Sequence, residues 1–282
     1  DTAIVMIPVV TGDLVCLDLQ IKVYLEGAMS NPVHPDTCSL PMRNSLNELH
    51  LLPGQSFSDP SAPGGVAWSP PGQPYNEAPW FYAGQEGNGY NSYGNPVPGT
   101  AGYPATVVDW VLVSLRTTPD GAGGSLCTRA GLLHQDGHVE FIGGFSNCCP
   151  VDVHGYYYVV VEHRNHLIVM SPTALPLTGN QIIYDFTTQQ SYISDEFNLG
   201  IFAGQKQVLP GVFALYGANG DQTQHERSDT DINFDDRTFW FLDVGTTGKY
   251  RIGDFNMNGS TDNADESLWK LNNRKFTTVP RD

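Results

Sequence analysis

The chain has 282 residues and a formal net charge of −16 at pH 7. This charge repels nucleic acid and anionic membrane surfaces, so neither is an expected partner. Hydrophobic residues make up 40% of the chain and charged residues 16%, which indicates a folded globular protein. No apolar run reaches the roughly 18 to 20 residues that a membrane-spanning helix needs, so no membrane span is expected.

The N-terminal residues are apolar almost without interruption, which indicates a strand buried on both faces. Two outcomes are open: the strand pairs inside its own domain, or it completes the sheet of a second copy by strand addition. The candidate assembly residues are Ala3, Ile4, Val5, Met6, Ile7, Val9 and Val10. No signal-peptide pattern precedes them, so we expect a mature, processed form.

Alternating apolar and polar residues over 17–25 predict a half-buried strand. Further strands are predicted over 107–115, 131–133, 139–142, 156–162, 167–170, 181–186 and 212–216. The dipeptide Asp136-Gly137 between two of these runs is a strong hairpin signal. Short strands separated by turns predict a mainly β protein, a β-sandwich with long Pro- and Gly-rich loops. We assign this body to residues 1–210.

A Pro-rich stretch interrupts the body, because thirteen of the twenty prolines lie between Met29 and Pro104. We predict a long, ordered loop insertion over 29–105, with one short helix over 42–52. The stretch also contains four aromatic residues, Trp68, Trp80, Phe81 and Tyr82. These side chains either fix the loops to the sheet or stack against sugar rings, which would make surface glycans a partner.

The segment from Asp254 to Asp265 has the spacing of a calcium-binding loop. Oxygen-bearing side chains occupy its first, third, fifth, ninth and twelfth positions, Gly259 is sixth, and Ser260 can offer its carbonyl. Calcium takes six to eight oxygen ligands, and the glycine permits the sharp turn. The predicted ligands are Asp254, Asn256, Asn258, Ser260, Asp262 and Asp265. Calcium is the only cofactor we expect.

A second acidic run lies upstream, where residues 235–240 mirror residues 264–269. Its candidate ligands are Asp229, Asp231, Asn233, Asp235 and Asp236. An insertion between Asn219 and Asp229 breaks the simple loop spacing, so a solvated acidic loop is an equal alternative. Apolar spacing after Asp265 predicts a short amphipathic helix that packs on the body.

The loop and its following helix resemble a dockerin-type calcium repeat, in which the loop often ends in Asp. We therefore assign residues 211–282 to a small dockerin-like module. More broadly, residues 108–116, 157–167 and 184–187, followed by the calcium repeat, resemble a module of large secreted surface proteins of Bacteroidetes-type bacteria. That resemblance implies an extracellular or cell-surface location, and it implies no known reaction.

Other constellations carry weaker signals. The five cysteines, among them the adjacent Cys148 and Cys149, suit one or two disulfides rather than a zinc site. His163 and His166 form an HxxH pair, for which a structural role is favoured over metal binding. Asp109 with Glu140 or Asp152 is a generic pair of carboxylates that alone does not indicate a glycosidase.

These observations predict a non-enzymatic extracellular structural protein. We expect a calcium-stabilised subunit of a fibre, surface layer or adhesin that binds copies of itself, with the N-terminal strand as the contact. The alternative is a carbohydrate-binding surface module that uses the loop aromatics. No nucleophile elbow, zinc-protease, P-loop or dinucleotide motif supports an enzyme.

Overall fold

The computed structural model describes residues 14–58, 63–68, 72–87, 102–142, 149–194, 204–223 and 230–281. The predicted assembly residues 3–10 lie outside the described residues, as do Cys148 and the candidate ligand Asp229.

Short strands account for most of the regular structure, as their sequence pattern predicts. They are β1 (Leu14–Val15), β2 (Asp18–Lys22), β3 (Ser56–Ser58), β4 (Val66–Trp68), β5 (Val107–Arg116), β6 (Cys127–His134), β7 (Val139–Glu140), β8 (Cys149–Pro150), β9 (Tyr156–His163), β10 (His166–Met170), β11 (Leu175–Pro176), β12 (Gln181–Asp185), β13 (Gln205–Leu209) and β14 (Val212–Leu215). The prediction of a mainly β fold is confirmed.

Four α-helices accompany the strands in the described part of the chain. They are α1 (Glu26–Met29), α2 (Ser45–Glu48), α3 (Phe234–Asp243) and α4 (Asn263–Asn272), with short 3-10 turns at Pro63–Gly65 and Asp221–Thr223. None of the helices in these ranges is long and apolar enough to cross a membrane.

The main sheet is antiparallel and has the strand order β10-β9-β5-β6-β7, with β11 added on β9. Strand β5 lies in its middle and every one of its residues is buried, which explains its nearly continuous apolar sequence. Strand β5 pairs with β6 on one side and with β9 on the other. The sheet therefore positions the ends of β5 and β9 in the interior of the protein.

A parallel pair, β2 with β12, lies beside this sheet. Strand β2 alternates exposed and buried residues along its length, as its sequence predicts. Its buried residues Leu19 and Ile21 belong to the same apolar core as Trp110 and Leu132 of the main sheet. A disulfide between Cys127 and Cys149 joins β6 to β8, in line with the one or two disulfides that the sequence predicts.

The stretch predicted as loops contains more regular structure than its composition suggests. Strands β3 and β4 form a hairpin within it, and α1 begins just before it. The predicted helix over 42–52 is wrong in extent, because only Ser45–Glu48 is helical. His50 has a left-handed backbone with φ of 57°, a conformation that ends a helix.

The C-terminal helices have their own small core. It is made of eight buried residues, namely Leu167, Tyr216, Ala218, Ile232, Trp240, Phe255, Leu268 and Trp269. Leu167 comes from β10 of the body, so the helices share this core with the sheet. The sequence predicts a boundary between body and module at residue 210. In the structure the β13–β14 hairpin crosses this position.

Candidate calcium site and its supporting network

The acidic loop leads directly into helix α4, as its sequence predicts. Asp262 caps the helix, since its side chain accepts from the backbone N–H of Ala264 at 2.7 Å. Asp265 completes a capping box by accepting from the N–H of Asp262 at 2.8 Å. Such reciprocal caps satisfy N–H groups that a helix start leaves unpaired, so the ninth and twelfth loop positions are fixed by the helix itself.

The glycine at the sixth loop position is required by geometry. Gly259 has a φ of 83°, which other residues adopt at a cost. A Cβ atom built there would lie 2.6 Å from Leu49 Cδ1, closer than two carbon atoms can approach. The turn therefore needs glycine for its backbone conformation and for its close packing against the body.

Two carboxylates of the loop are fully buried, Asp254 and Asp265. Burial raises the pKa of Asp254, although the Arg164 guanidinium opposes the shift. Burial and the neighbouring charge of Asp254 raise the pKa of Asp265. Two ionised carboxylates next to each other in the interior are costly unless a cation neutralises them, so the pair suits a divalent ion.

Backbone N–H groups contact the loop oxygens from within the loop. Asp254 accepts from Asn258 at 3.0 Å and from Gly259 at 2.8 Å. The N–H of Asn256 donates to Asp265 at 2.9 Å, so the third and twelfth positions are adjacent. The side-chain nitrogen of Asn256 is buried and has no hydrogen-bond partner among the residues that the structure describes. Backbone N–H groups of the loop thus hold the side chains of Asp254 and Asp265 in place.

These residues fit calcium in chemistry. Among the described residues, no three His, Cys, Asp or Glu side chains are grouped closely enough to hold a metal by themselves. A calcium loop of this spacing also draws on asparagine side chains and a backbone carbonyl, which Asn256, Asn258 and Ser260 would supply. Asp254 and Asp265 would provide the charge.

The loop is fastened to the β body on several sides. Phe255 packs in the helical core, whereas Met257 packs in the main core. Asn165, in the turn between β9 and β10, donates to the carbonyl of Asp254 at 2.9 Å and to that of Ile252 at 3.1 Å. Arg43 donates to the carbonyl of Asn256 at 2.6 Å. The loop therefore lies between the helical core and the main core and contributes a side chain to each.

Helices α3 and α4 repeat one arrangement. Asn233 and Asp236 form a capping box on α3, as Asp262 and Asp265 do on α4. The indole of Trp240 donates to the carbonyl of Asp262, and the indole of Trp269 donates to the carbonyl of Asn233, each at 2.6 Å. Each helix thus contacts the start of the other, and the mirrored sequence reflects an internal repeat.

The predicted second group of ligands is only partly assembled. Asp236 is buried, whereas Asp235 is exposed. Asp236 accepts from the N–H of Asn233 at 2.6 Å and from that of Asp221 at 3.3 Å. Asp231 is half-buried. The acidic run alone therefore does not form one compact group.

The residues that lie next to Asp236 were not predicted from the sequence. The bond from Asp221 to Asp236 repeats the bond from Asn256 to Asp265, so Asp221 is the counterpart of Asn256. Asn219 then corresponds to Asp254. It is fully buried, and within the described part of the chain its side-chain atoms have no hydrogen-bond partner. Residues 218–221 are similar in sequence to residues 253–256, and this similarity could have identified Asn219 and Asp221. The insertion after residue 221 obscures it.

The side chains of His163 and His166 converge, which the sequence alone does not require. Their Nδ1 atoms lie 2.9 Å apart, and the register of β9 and β10 shifts between His166 and Val169. His166 Nε2 accepts from the N–H of Gly27 at 3.0 Å, and His163 Nε2 lies 3.2 Å from Asp109. Both rings are used in hydrogen bonds, which favours the structural role.

Asp109 is the centre of a buried charged network. It lies 3.0 Å from Arg164 Nε and accepts from the hydroxyl of Tyr250 at 2.6 Å. Burial opposes ionisation, yet Arg164 and His163 lower the pKa of Asp109 to about 2. The network links the body to the segment before the acidic loop. Asp109 is thus occupied structurally rather than facing a second carboxylate across a cleft.

The aromatic residues of the loop insertion are only partly gathered. Trp80, Phe81 and Tyr82 line one groove of about 390 Å³, whereas Trp68 lies in strand β4. Trp80 donates to Glu162 at 2.9 Å and Tyr82 donates to Glu86 at 2.6 Å. Phe81 is 64% exposed. Arg129 of β6 donates to the Tyr82 hydroxyl at 3.3 Å. Two of the three rings therefore contact the body, and one is presented to solvent.

No protein-family model and no curated protein matches this chain. Two solved structures are similar to it, both mutants of a type II cohesin–X-dockerin complex from Acetivibrio cellulolyticus. The N-terminal interface mutant shares 15% identity, covers 60% of this chain and 83% of its own, and has a TM-score of 0.35. The C-terminal interface mutant has 16% identity with the same coverage and TM-score. A likeness at this level carries no argument about function.

Proposed function

We propose that this chain is a non-enzymatic, calcium-braced structural module of an extracellular protein that assembles with copies of itself. One observation carries the proposal: the loop with the buried carboxylates Asp254 and Asp265 is wedged between the helical core and the main core. An ion bound there neutralises the carboxylates and joins the two parts of the protein. Its role is mechanical, because it lies inside the protein rather than in an open cleft.

Two buried titratable groups of the body, Asp109 and His163, have structural contacts. Asp109 and His163, the buried acid and base, are held by Arg164, Tyr250 and His166. A general base needs an open approach for a substrate proton, and these groups are fully buried. Calcium in the loop would therefore support folding and attachment.

Calcium titration by calorimetry tests the proposal. We expect the full chain to bind calcium, and Asp254→Asn to lose one ion, because the substitution removes a buried anionic ligand. Asp36→Asn is the matched control: Asp36 is exposed and lies outside both acidic loops, so its binding curve should equal that of the unaltered chain. If the full chain takes up no calcium, the proposal is wrong.

The second loop can be tested in the same titration. We propose that Asn219, Asp221 and Asp236 form its ligand group, because Asp221 and Asp236 repeat the contact of the first loop. Asp236→Asn would then remove a second ion. An unchanged stoichiometry would assign this loop to packing alone.

Self-assembly through residues 3–10 belongs to the same proposal. These residues carry no charge, and an apolar strand needs cover from another surface. Sedimentation velocity of the full chain over a concentration range should show species larger than a monomer. Val5→Asp should abolish them, since a charge in the contact must be buried without a partner.

Glycan binding is the second candidate, favoured by the groove next to Phe81. This residue has a φ of 43° and is 64% exposed, so the backbone holds a large ring out in solvent at a conformational cost. Phe81→Ala should abolish binding on a glycan array. Val33→Ala is the control, because Val33 is 77% exposed and lies outside the groove.

A further inference from the structure

A buried carboxylate connects a lysine to an asparagine. Glu26, the first residue of α1, is fully buried. One of its oxygens contacts Nζ of Lys206 in β13. The other accepts from the side-chain nitrogen of Asn272 at 2.5 Å, and Asn272 is the buried last residue of α4. An amine, a carboxylate and a carboxamide from three distant segments therefore meet at one carboxyl group.

Backbone groups hold the carboxylate and the carboxamide in place. The N–H of Gly217 donates at 3.1 Å to the Glu26 oxygen that Asn272 also contacts. The carbonyl of Gly217 accepts from the side chain of Asn272 at 3.0 Å. The Asn272 side-chain oxygen is buried and has no hydrogen-bond partner in the described ranges. The carboxamide is thus oriented through its nitrogen, whereas the Lys206 side chain is 25% exposed and has a flexible stem.

The contact between Lys206 and Glu26 can produce a nucleophile. Proton transfer from Nζ to the carboxylate gives a neutral pair, which avoids the cost of keeping charges out of water. The amine then has the lone pair that a nucleophile needs, and the protonated carboxyl is an acid next to the amide nitrogen of Asn272. Groups held together in this way react as if they were at very high concentration. The three side chains therefore contain every group that amide exchange requires.

We propose that Lys206 and Asn272 form an intramolecular amide bond, with Glu26 as the group that transfers protons. Nζ of Lys206 attacks Cγ of Asn272, and the bond from Cγ to the side-chain nitrogen breaks. The protonated Glu26 gives its proton to the departing nitrogen and accepts one from Nζ. Its own protonation is therefore unchanged, and ammonia leaves. One C–N bond forms and one breaks, and nothing is oxidised or reduced.

The bond joins β13 to the end of α4. It closes a long segment of chain, from residue 206 to residue 272, and a cross-link restricts the unfolded state more strongly as the closed loop lengthens. The C-terminal helices are thereby attached to the β body by a covalent bond that needs no ion. This inference goes beyond the calcium site and does not depend on it.

Mass spectrometry of the reduced, denatured full chain, prepared in chelator, tests the inference. The unaltered chain should be lighter than its sequence mass by one ammonia molecule. Fragmentation of a proteolytic digest should identify one pair of linked peptides, with the bond between Lys206 and Asn272. Linked peptides that join any other two residues would overturn the assignment.

Three variants separate the roles of the side chains, after circular dichroism has shown that each is folded. Lys206→Arg keeps the charge next to Glu26 but has no amine nucleophile, so it should have its full sequence mass. Glu26→Gln removes the proton-transfer group and should also have its full mass. Lys270→Arg is the matched control, because Lys270 lies on the same helix as Asn272 and is 58% exposed. This control should still lose ammonia.

The contrary outcomes are equally distinct. A folded, unaltered chain with its full sequence mass would overturn the inference. So would a loss of ammonia that persists in Lys206→Arg, because an asparagine that cyclises on its own backbone also releases ammonia without a lysine. Complete bond formation in Glu26→Gln would remove the role of Glu26. The mass is measured without calcium, so none of these results affects the proposed calcium site, which the calorimetric titration tests.

Discussion

Asn165 donates its side-chain N–H to the carbonyl of Asp254 at 2.9 Å, which joins the β9–β10 turn to the first residue of the acidic loop. The backbone carbonyl of the same residue accepts from Asn219 at 3.1 Å. One buried residue of the body therefore holds the first position of both repeats. This contact explains how two loops at the end of the chain become part of the β body.

We expect Asn165→Ala to destabilise the protein by about 1–3 kcal/mol, because it removes the buried side-chain donor to the carbonyls of Asp254 and Ile252. Urea denaturation followed by tryptophan fluorescence measures the loss. Asn180→Ala is the control, since Asn180 is an exposed donor to Cys16, and its free energy of unfolding should change by less than about 0.5 kcal/mol. If both substitutions lower the free energy of unfolding equally, Asn165 has no special role in stability.

We expect Gly27→Ala to be at least as damaging, by roughly 1–3 kcal/mol. A Cβ atom at Gly27 would lie 2.1 Å from the carbonyl oxygen of Phe255, so helix α1 and the acidic loop would have to separate. Gly123→Ala is the matched control, because its Cβ would lie 3.6 Å from Thr117, an ordinary contact. A thermal melt that is unchanged for Gly27→Ala would contradict the close packing.

The buried histidines predict a loss of stability in mild acid. Burial lowers the pKa of His163, although Asp109 opposes this, and burial with the charge of His163 lowers the pKa of His166. Below a pH of about 6.5, the ordinary pKa of histidine, these two side chains therefore bind more protons in the unfolded chain than in the folded one. Above that pH the two histidines make their full contribution to the free energy of unfolding. This contribution falls as the pH drops, by up to about 1.4 kcal/mol per pH unit for each histidine.

Urea denaturation between pH 7.5 and 5.5 measures this slope. His166→Asn should flatten it, because one of the two buried rings is gone. Asn180→Ala, an exposed substitution that removes no titratable group, should leave it unaltered. A slope that is the same in all three proteins would exclude the histidine pair as the cause.

Local patterns predicted the elements that depend on neighbours in the sequence. Alternation predicted β2, continuous apolar residues predicted β5, and ligand spacing predicted a loop that leads into α4. In each case the residues that determine the structure lie within about a dozen positions, and periodicity reports burial directly.

The elements that escaped prediction depend on partners far apart in the chain. The convergence of His163 and His166 requires Gly27 and Asp109, which come from other segments. The parallel pairing of β12 with β2 joins strands separated by most of the body, and no local pattern specifies it. Asn219 was missed because an insertion separates it from Asp236.

Thermal unfolding with and without calcium tests the central claim, that an ion in the Asp254–Asp265 loop braces the module to the body. At a calcium concentration 100 times the dissociation constant, binding stabilises the folded state by about 2.7 kcal/mol. For a protein of this size, that raises the midpoint by roughly 5–10 °C relative to chelator. Asp254→Asn should lose most of the response. Identical melting curves of the unaltered chain in calcium and in chelator would contradict the account.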